Sequence, residues 1–127
     1  MPPTILVVDD DAPLRCLLAI ALEDAGYRVE EADDGIAALE RLGWCSPDLI
    51  LTDLRMPRLD GIGLARLLAP HTPPVPLIVM SADPLPIDCS LPFIRKPFEI
   101  ETLLTLMART LPVSPVASLA LAGLGAV

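Results

Sequence analysis

The sequence predicts an α/β fold: a doubly wound, five-stranded parallel sheet of order 2-1-3-4-5 with helices on both faces. Two observations carry this prediction. Five short apolar runs alternate with segments of helical periodicity, which is typical of parallel strands joined by right-handed helical crossovers. Several of these runs end directly before charged or hydroxyl side chains, at the sheet edge where open α/β proteins bind their ligands. The chain has 127 residues, of which 53% are hydrophobic, and this is enough to form one domain with a substantial core.

The first half of the chain predicts two strands and two helices. Thr4–Val8 is β-branched and apolar, as central parallel strands are. Residues 12–25 follow helical periodicity, and residues 27–31 form a short strand at the sheet edge. A second helix covers residues 35–42. The residues suited to cap or end these helices are Asp11, Gly26, Asp34 and Gly43.

The second half predicts three strands and two helices. The apolar run at 49–53 ends in a carboxylate, and residues 75–80 and 93–94 form the fourth and fifth strands. Helices are expected over residues 60–68 and 99–111. The positions expected to be buried are Ile62, Ala65 and Leu68 in the first of these helices and Ile100, Leu103, Leu104, Met107 and Leu111 in the second.

The connection between the fourth and fifth strands, residues 82–92, is too rich in proline to form a helix. Pro84 and Pro86 bias the residues before them away from helical backbone angles. We therefore expect an irregular apolar loop there, with at most one turn of 3₁₀ helix.

Composition excludes several classes of function. A net charge of −8 argues against a nucleic-acid binder, which needs clustered Lys and Arg. The three cysteines form no CxxC pair, so neither disulfides nor zinc are expected, and a reducing cytosol suits them. The N-terminus has no basic signal region, and no apolar run reaches the ~18 residues of a membrane helix. We expect a soluble, cytoplasmic protein with no membrane insertion.

Five polar side chains meet at one edge of the predicted sheet. Asp9 and Asp10 follow the first strand, Asp53 ends the third, Ser81 follows the fourth and Lys96 follows the fifth. Three converging carboxylates repel one another unless a cation is present, and Mg²⁺ prefers such oxygen ligands. A lysine and a hydroxyl can bind phosphate oxygens. The set suits phosphoryl transfer to a carboxylate, although Asp53 alone would be an ordinary turn residue.

The motifs ILVVDDD at 5–11, LILTDLRMPRLDG at 49–61, Ser81-Ala82 and IRKPF at 94–98 resemble the receiver domain of two-component response regulators, a flavodoxin-like fold. The resemblance covers roughly residues 4 to 111. It implies that Asp53 is the phosphoacceptor for a histidine kinase or a histidine phosphotransfer protein.

The resemblance also implies the roles of the residues around Asp53. Asp9, Asp10, Asp53 and the backbone carbonyl of Arg55 would hold Mg²⁺ or Mn²⁺, whereas Asp11 reads as a helix cap rather than a ligand. Ser81 matches the switch hydroxyl, and Lys96 matches the family's lysine, followed by a cis Lys96–Pro97 bond.

The resemblance implies that three further residues modulate the switch and the dephosphorylation. Phe93 stands where receivers carry an aromatic switch residue, often tyrosine, and it lacks the hydroxyl. Arg55 and Asp83 lie two residues after Asp53 and Ser81, and we hypothesise that their opposite charges pair over the phosphoryl group and slow the access of water.

The family normally has a helix where residues 82–92 stand, so its loss is expected to bare one sheet face near strands four and five. The candidates to cover that face are Leu85, Ile87 and Leu91, the apolar tail 112–127, or a second copy of the chain. Leu106, outside the expected core stripe of the last helix, is a weaker hint of an interface.

The sequence therefore predicts a signalling receiver rather than an enzyme, with a receiver domain at 1–111 and a tail or linker remnant at 112–127. Its partners would be a histidine kinase or phosphotransfer protein and, as a further option, a second copy in a homodimer. A phosphate sink or relay, and a pseudo-receiver whose output is uncoupled from phosphorylation, remain alternatives. A metal-dependent phosphatase is disfavoured, because such enzymes place the nucleophile after the first strand and need a cap region.

Overall fold

The computed structural model describes residues 2–70, 74–86 and 88–111. They form one five-stranded parallel sheet of order β2-β1-β3-β4-β5. The strands are β1 (Thr4–Val8), β2 (Arg28–Ala32), β3 (Leu49–Asp53), β4 (Leu77–Ser81) and β5 (Phe93–Arg95). The helices are α1 (Ala12–Asp24), α2 (Gly35–Leu42), α3 (Gly61–Leu68) and α4 (Ile100–Thr110). The predicted fold class and strand order are confirmed.

The sheet separates two apolar cores, because successive residues of a strand point to opposite faces. Ile5 and Val7 of β1 pack with α1 and α4 in what we call the α1/α4 core. Leu6 and Val8 pack with α2 and α3 in the α2/α3 core. Because helices cover both faces of the sheet, the three central strands β1, β3 and β4 are buried at nearly every position.

Aspartates fix where three of the helices begin. The carboxylates of Asp11, Asp34 and Asp60 accept hydrogen bonds from the backbone N–H groups of Leu14, Ala37 and Gly63. Gly26, just beyond α1, has a φ of 103°, a conformation that glycine adopts without steric cost. The predicted caps Asp11 and Asp34 are confirmed.

The predicted helix faces are only partly correct. In α3, Leu68 is buried as predicted, and Ile62 and Ala65 are partly buried and pack against the α2/α3 core. Leu64, which was not predicted, is fully buried. In α4, Leu106 is partly buried and packs against the α1/α4 core. It therefore gives no hint of an interface.

The connection between β4 and β5 contains no helix in its described residues, 82–86 and 88–92. The N–H of Cys89 donates to the carbonyl of Pro86 at 2.9 Å, which closes a single turn. Leu85 and Leu91 pack against the α2/α3 core and partly cover the sheet there, as predicted. Ile87, the tail 112–127 and any second copy lie outside the described residues. Nowhere in the described part is a helix long and apolar enough to cross a membrane.

Candidate functional site

The predicted site residues lie together at the carboxyl edge of the sheet. Asp53 and Ser81 are the last residues of β3 and β4, Asp9 and Asp10 directly follow β1, and Lys96 directly follows β5. The pairing of Val8 with Thr52 and of Asp53 with Met80 brings the strand ends level. Parallel pairing thereby gathers residues that are far apart in the sequence.

Three carboxylates form the acidic part of the site. One oxygen each from Asp9, Asp10 and Asp53 lies within 4.8 Å of the others. Asp9 is fully buried, Asp53 is partly buried and Asp10 is exposed. Converging carboxylate oxygens of this kind suit a hard divalent cation such as Mg²⁺, so the donor set fits the ion that the sequence predicts.

Lys96 bridges two of these acids. Its Nζ lies 3.2 Å from Asp9 Oδ2 and 3.3 Å from Asp53 Oδ1, and its side chain is 22% exposed. The Lys96–Pro97 bond is cis, as the resemblance implies. The ammonium therefore offsets part of the negative charge where the carboxylates converge.

The surroundings shift the pKa of both Asp53 and Lys96. Burial raises the pKa of Asp53; the Lys96 charge opposes this shift and the Asp9 carboxylate reinforces it. For Lys96, burial acts to lower the pKa, but the carboxylates of Asp9 and Asp53 outweigh it and the pKa is raised. Lys96 therefore stays protonated at neutral pH and can bind an anionic oxygen.

Asp11 does not join the acidic cluster. Its carboxylate caps α1, and its backbone N–H donates to Asp9 Oδ1 at 2.9 Å. It thus helps to satisfy the buried Asp9 side chain, and its predicted role as a cap rather than a ligand agrees with this geometry.

Ser81, Asp83 and Arg55 form a chain of contacts beside Asp53. Ser81 is buried, and its Oγ accepts a hydrogen bond from the N–H of Asp83 at 3.0 Å. The carboxylate of Asp83 pairs with Nε of Arg55 at 2.7 Å, with both side chains more than half exposed. The predicted Arg55–Asp83 pair is therefore present. Phe93 is partly buried and packs against the α2/α3 core.

Sequence reasoning missed an ion pair that joins two loops at this edge. Nε of Arg58 lies 2.6 Å from Oδ2 of the buried Asp34. The Arg58 hydrogen bond, helped by the Ala37 N–H, lowers the pKa of Asp34 despite its burial. Arg58 has a φ of 70°, an uncommon conformation for a residue other than glycine. No local pattern signals this pair, because its members lie 24 residues apart.

Gly61 lies against the backbone of Asp53. A Cβ at this position would lie 2.5 Å from the Asp53 carbonyl oxygen, and the Gly61 N–H donates to the Leu54 carbonyl at 2.9 Å. The Asp-Gly pair at 60–61 signals a turn, but the sequence does not reveal this close approach.

Comparison with known proteins gives concordant matches. Residues 5–89 match the family model described as the response regulator receiver domain. Response regulator MprA of Mycobacterium sp. (strain KMS) is 38% identical over 123 residues, which cover 88% of this chain and 54% of that protein. The DNA-binding transcriptional regulator NtrC of Escherichia coli (strain K12) is 33% identical over 113 residues, 83% of this chain and 24% of NtrC. The chain thus spans about half the length of MprA and less of NtrC.

Solved structures agree with these matches. The chemotaxis response regulator CheY4 of Vibrio cholerae superposes with a TM-score of 0.79 at 28% identity, covering 87% of this chain and all of that one. The signal receiver domain of a signal transduction histidine kinase from Syntrophus aciditrophicus superposes with a TM-score of 0.78 at 30% identity, over 85% of this chain and 89% of that one.

Proposed function

This chain belongs to the response regulator receiver domain family, whose function is to accept a phosphoryl group in two-component signalling, and we propose that its phosphoacceptor is Asp53. The donor is the phosphohistidine of a histidine kinase or a histidine phosphotransfer protein. One observation carries the proposal: the Asp53 carboxylate ends a central strand, in contact with the Lys96 ammonium and close to the carboxylates of Asp9 and Asp10.

The contacts of Asp53 suggest which oxygen reacts. Oδ1 accepts a hydrogen bond from the Leu54 N–H at 3.0 Å and lies 3.3 Å from Lys96 Nζ. Within the described part of the chain, Oδ2 has no such partner. Oδ2 would attack phosphorus, with a P–O bond forming as the P–N bond of phosphohistidine breaks, and the imidazole nitrogen that leaves would take up a proton from solvent. The product is an aspartyl phosphate.

Asp9, Asp10, Asp53 and the backbone carbonyl of Arg55 would hold Mg²⁺ or Mn²⁺ at this site. When bound, such an ion neutralises the charge on the phosphoryl oxygens during transfer. Lys96 binds one of those oxygens through its ammonium. Ser81 would then turn its hydroxyl toward the phosphoryl group, giving up the hydrogen bond from Asp83, with Phe93 as the aromatic residue that follows this change.

The surface beside Lys96 suits a protein donor. A groove of about 560 Å³ separates α1 from residues 96–100, and its walls are largely apolar. Leu17, on its α1 side, is 65% exposed. Because the groove adjoins Lys96, a helix or loop seated in it can present a phosphohistidine to Asp53. We place the donor's docking surface there.

In this proposal, residues 1–111 form the receiver domain and residues 112–127 form a tail or linker. The protein would act in the cytoplasm, because the catalytic part of a histidine kinase is found there. After phosphorylation, the domain would signal by a conformational change that alters its contacts with partner proteins or with a second copy of the chain. The reactions that we propose for this site are the phosphorylation and the dephosphorylation of its own Asp53.

Mass spectrometry after incubation with Mg²⁺ and acetyl phosphate tests the assignment. The wild-type chain should gain about 80 Da, the mass of HPO₃, at Asp53, and Asp53→Asn should gain nothing. No adduct on the wild-type chain would contradict the proposal and favour a pseudo-receiver. Transfer of the phosphoryl group from Asp53 to a phosphotransfer protein would identify a relay. Its release to water as inorganic phosphate, with repeated uptake from the kinase, would identify a sink.

A further inference from the structure

The peptide group that joins Asp9 to Asp10 is clamped by an arginine that the proposed chemistry does not use. Nη1 of Arg15, on the first turn of α1, donates to the carbonyl oxygen of Asp9 at 2.6 Å. Nε of the same side chain donates to Oε1 of Glu31, on β2, at 3.1 Å. The Arg15 side chain is 19% exposed. One guanidinium thus ties together the loop after β1, the helix that follows it and the edge strand.

Asp9 is held at each of its polar groups. Its N–H donates to the Ala32 carbonyl at 3.1 Å, Oδ1 accepts from the Asp11 N–H, and Oδ2 accepts from Lys96. The carbonyl is the remaining group, and Arg15 satisfies it. A buried carboxylate needs such support, since unsatisfied polar groups are costly in a dry site.

Asp10 differs, because its side chain is exposed and makes no hydrogen bond within the described ranges. Its direction depends on its own rotamer and on the plane of the peptide group that precedes it. Arg15 holds that plane through the Asp9 carbonyl. Loss of this contact would free the peptide to rotate and would move the Asp10 carboxylate out of register with Asp9 and Asp53.

We propose that Arg15 is a positioning residue of the cation site, acting through the Asp9–Asp10 peptide and itself held in place by Glu31. The inference rests on the proposed function, because it assumes that the acidic cluster binds a divalent cation. The charge of Arg15 and its role in orienting the ligands predict opposite changes in Mg²⁺ affinity when the side chain is removed. A guanidinium next to a cation site repels the cation, so removing its charge alone would tighten binding, whereas removing a group that orients the ligands weakens it.

Isothermal titration of the full-length chain with Mg²⁺ distinguishes these effects. Arg15→Gln should weaken Mg²⁺ binding by about tenfold, in the range found when groups that orient metal ligands are removed. Arg15→Lys keeps the charge but loses the planar fork that contacts two partners at once, and should weaken binding by a smaller factor. Glu31→Gln leaves Asp9 untouched but loosens Arg15, and should weaken binding more than Glu30→Gln, which removes the same charge from the same strand.

Arg41→Gln is the matched control. Arg41 pairs with Glu30 of the same strand, β2, at 3.1 Å, and its side chain is 36% exposed against 19% for Arg15. Arg41 makes no hydrogen bond to Asp9. Its loss removes one positive charge near this edge and should leave Mg²⁺ affinity unchanged or slightly tighter. Thermal unfolding without Mg²⁺ identifies any variant that is unfolded at the temperature of titration, and Arg15→Lys and Glu31→Gln then carry the comparison.

The possible failures are distinct. Unchanged or tighter binding by Arg15→Gln, with binding by the wild type, would overturn the role of Arg15 and leave the proposed function intact. Equal weakening by Arg15→Gln and Arg41→Gln would also overturn it, because the effect would not depend on the Asp9 contact. No Mg²⁺ binding by the wild-type chain would instead contradict the cation site itself.

Discussion

At the scale of single residues, the Lys96 ammonium is in contact with the acidic cluster. Asp9 is fully buried and Lys96 contacts both Asp9 and Asp53. Lys96→Met should lower the free energy of unfolding by about 2–3 kcal/mol, because the carboxylates of Asp9 and Asp53 would lose their cationic partner. This loss is smaller than for a fully buried pair, because the Lys96 side chain is partly exposed to solvent.

Urea denaturation with and without Mg²⁺ measures this effect. If the cation shares the site, Mg²⁺ should stabilise Lys96→Met more than it stabilises the wild type. Arg95→Met, at the exposed neighbouring position on β5, is the control and should change stability little. Equal losses in both variants would show that the acidic cluster does not depend on Lys96.

The Arg55–Asp83 pair leads to a smaller effect. Its members are 77% and 54% exposed, and exposed pairs contribute ~0–1 kcal/mol. Arg55→Ala should therefore shorten the lifetime of the aspartyl phosphate by about two- to fivefold, within the factor that 1 kcal/mol allows. Asp83→Asn should shorten it similarly, and Asp88→Asn on the same connection should not. An unchanged lifetime in Arg55→Ala would refute shielding by the pair.

Asp34 makes stability depend on pH in a defined direction. Its folded-state pKa is lowered, chiefly by the hydrogen bond from Arg58, so the folded state binds this proton less readily than the unfolded state. Its stabilising contribution is fully present above the unfolded pKa of about 3.8 and is lost as the pH falls through the folded pKa. Asp34→Asn keeps a capping side chain but removes the charge.

Urea unfolding at pH 6 and at pH 3 checks this dependence. The stability difference between wild type and Asp34→Asn should be clear at pH 6 and should shrink at pH 3. Arg58→Gln should reproduce the result from the other partner. A difference independent of pH would mean that the Asp34 charge makes no net contribution.

At the scale of elements, Gly61 sets how closely α3 approaches the end of β3. Its Cβ would meet the Asp53 carbonyl oxygen, a backbone atom that cannot move without moving Asp53. Gly61→Ala should cost about 2 kcal/mol, as overpacking at a rigid contact does, and should slow phosphorylation of Asp53. Gly63→Ala is the control, since its Cβ would chiefly meet the end of the flexible Leu59 side chain. Similar losses of stability in both variants would contradict a special role for Gly61.

The elements also show which parts of the structure were predictable. The strands and α2 could be placed from apolar runs, glycines and capping aspartates, because these signals are local. The burial of Leu64 and Leu106 was not predicted, since the face that a helix presents depends on its rotation against the sheet. In the connection 82–92, the prolines sufficed to exclude a helix from the described residues, because their effect on the backbone is local.

The candidate site divides in the same way. Asp9, Asp10, Asp53, Ser81 and Lys96 were predictable, because a parallel sheet carries the residue after each strand to one edge. The contacts of Arg15 with the Asp9 carbonyl and of Arg58 with Asp34 were not. Both depend on how a long side chain folds back across a loop, and neither periodicity nor spacing encodes that.

At the scale of the whole molecule, phosphorylation of Asp53 and recognition of the protein donor depend on different parts of the surface. Acetyl phosphate needs only the site, whereas a protein donor also needs a surface. The groove beside Lys96 and the exposed α3 surface lie on opposite faces of the sheet, since α1 packs in one core and α3 in the other. Leu17 on α1 is 65% exposed and Leu67 on α3 is 52% exposed. Substitutions at these two leucines can therefore serve as test and control for the two faces.

Leu17→Gln should slow phosphotransfer from a histidine kinase by about tenfold, equivalent to 1.4 kcal/mol of lost docking, while labelling by acetyl phosphate stays unchanged. Leu67→Gln should leave both rates unchanged. Radiolabel transfer from a kinase first shown to phosphorylate the wild-type chain measures the first rate, and mass spectrometry measures the second. If Leu17→Gln slows both reactions equally, the residue supports the site rather than the docking surface. If Leu67→Gln alone slows transfer from the kinase, the donor binds the opposite face of the sheet.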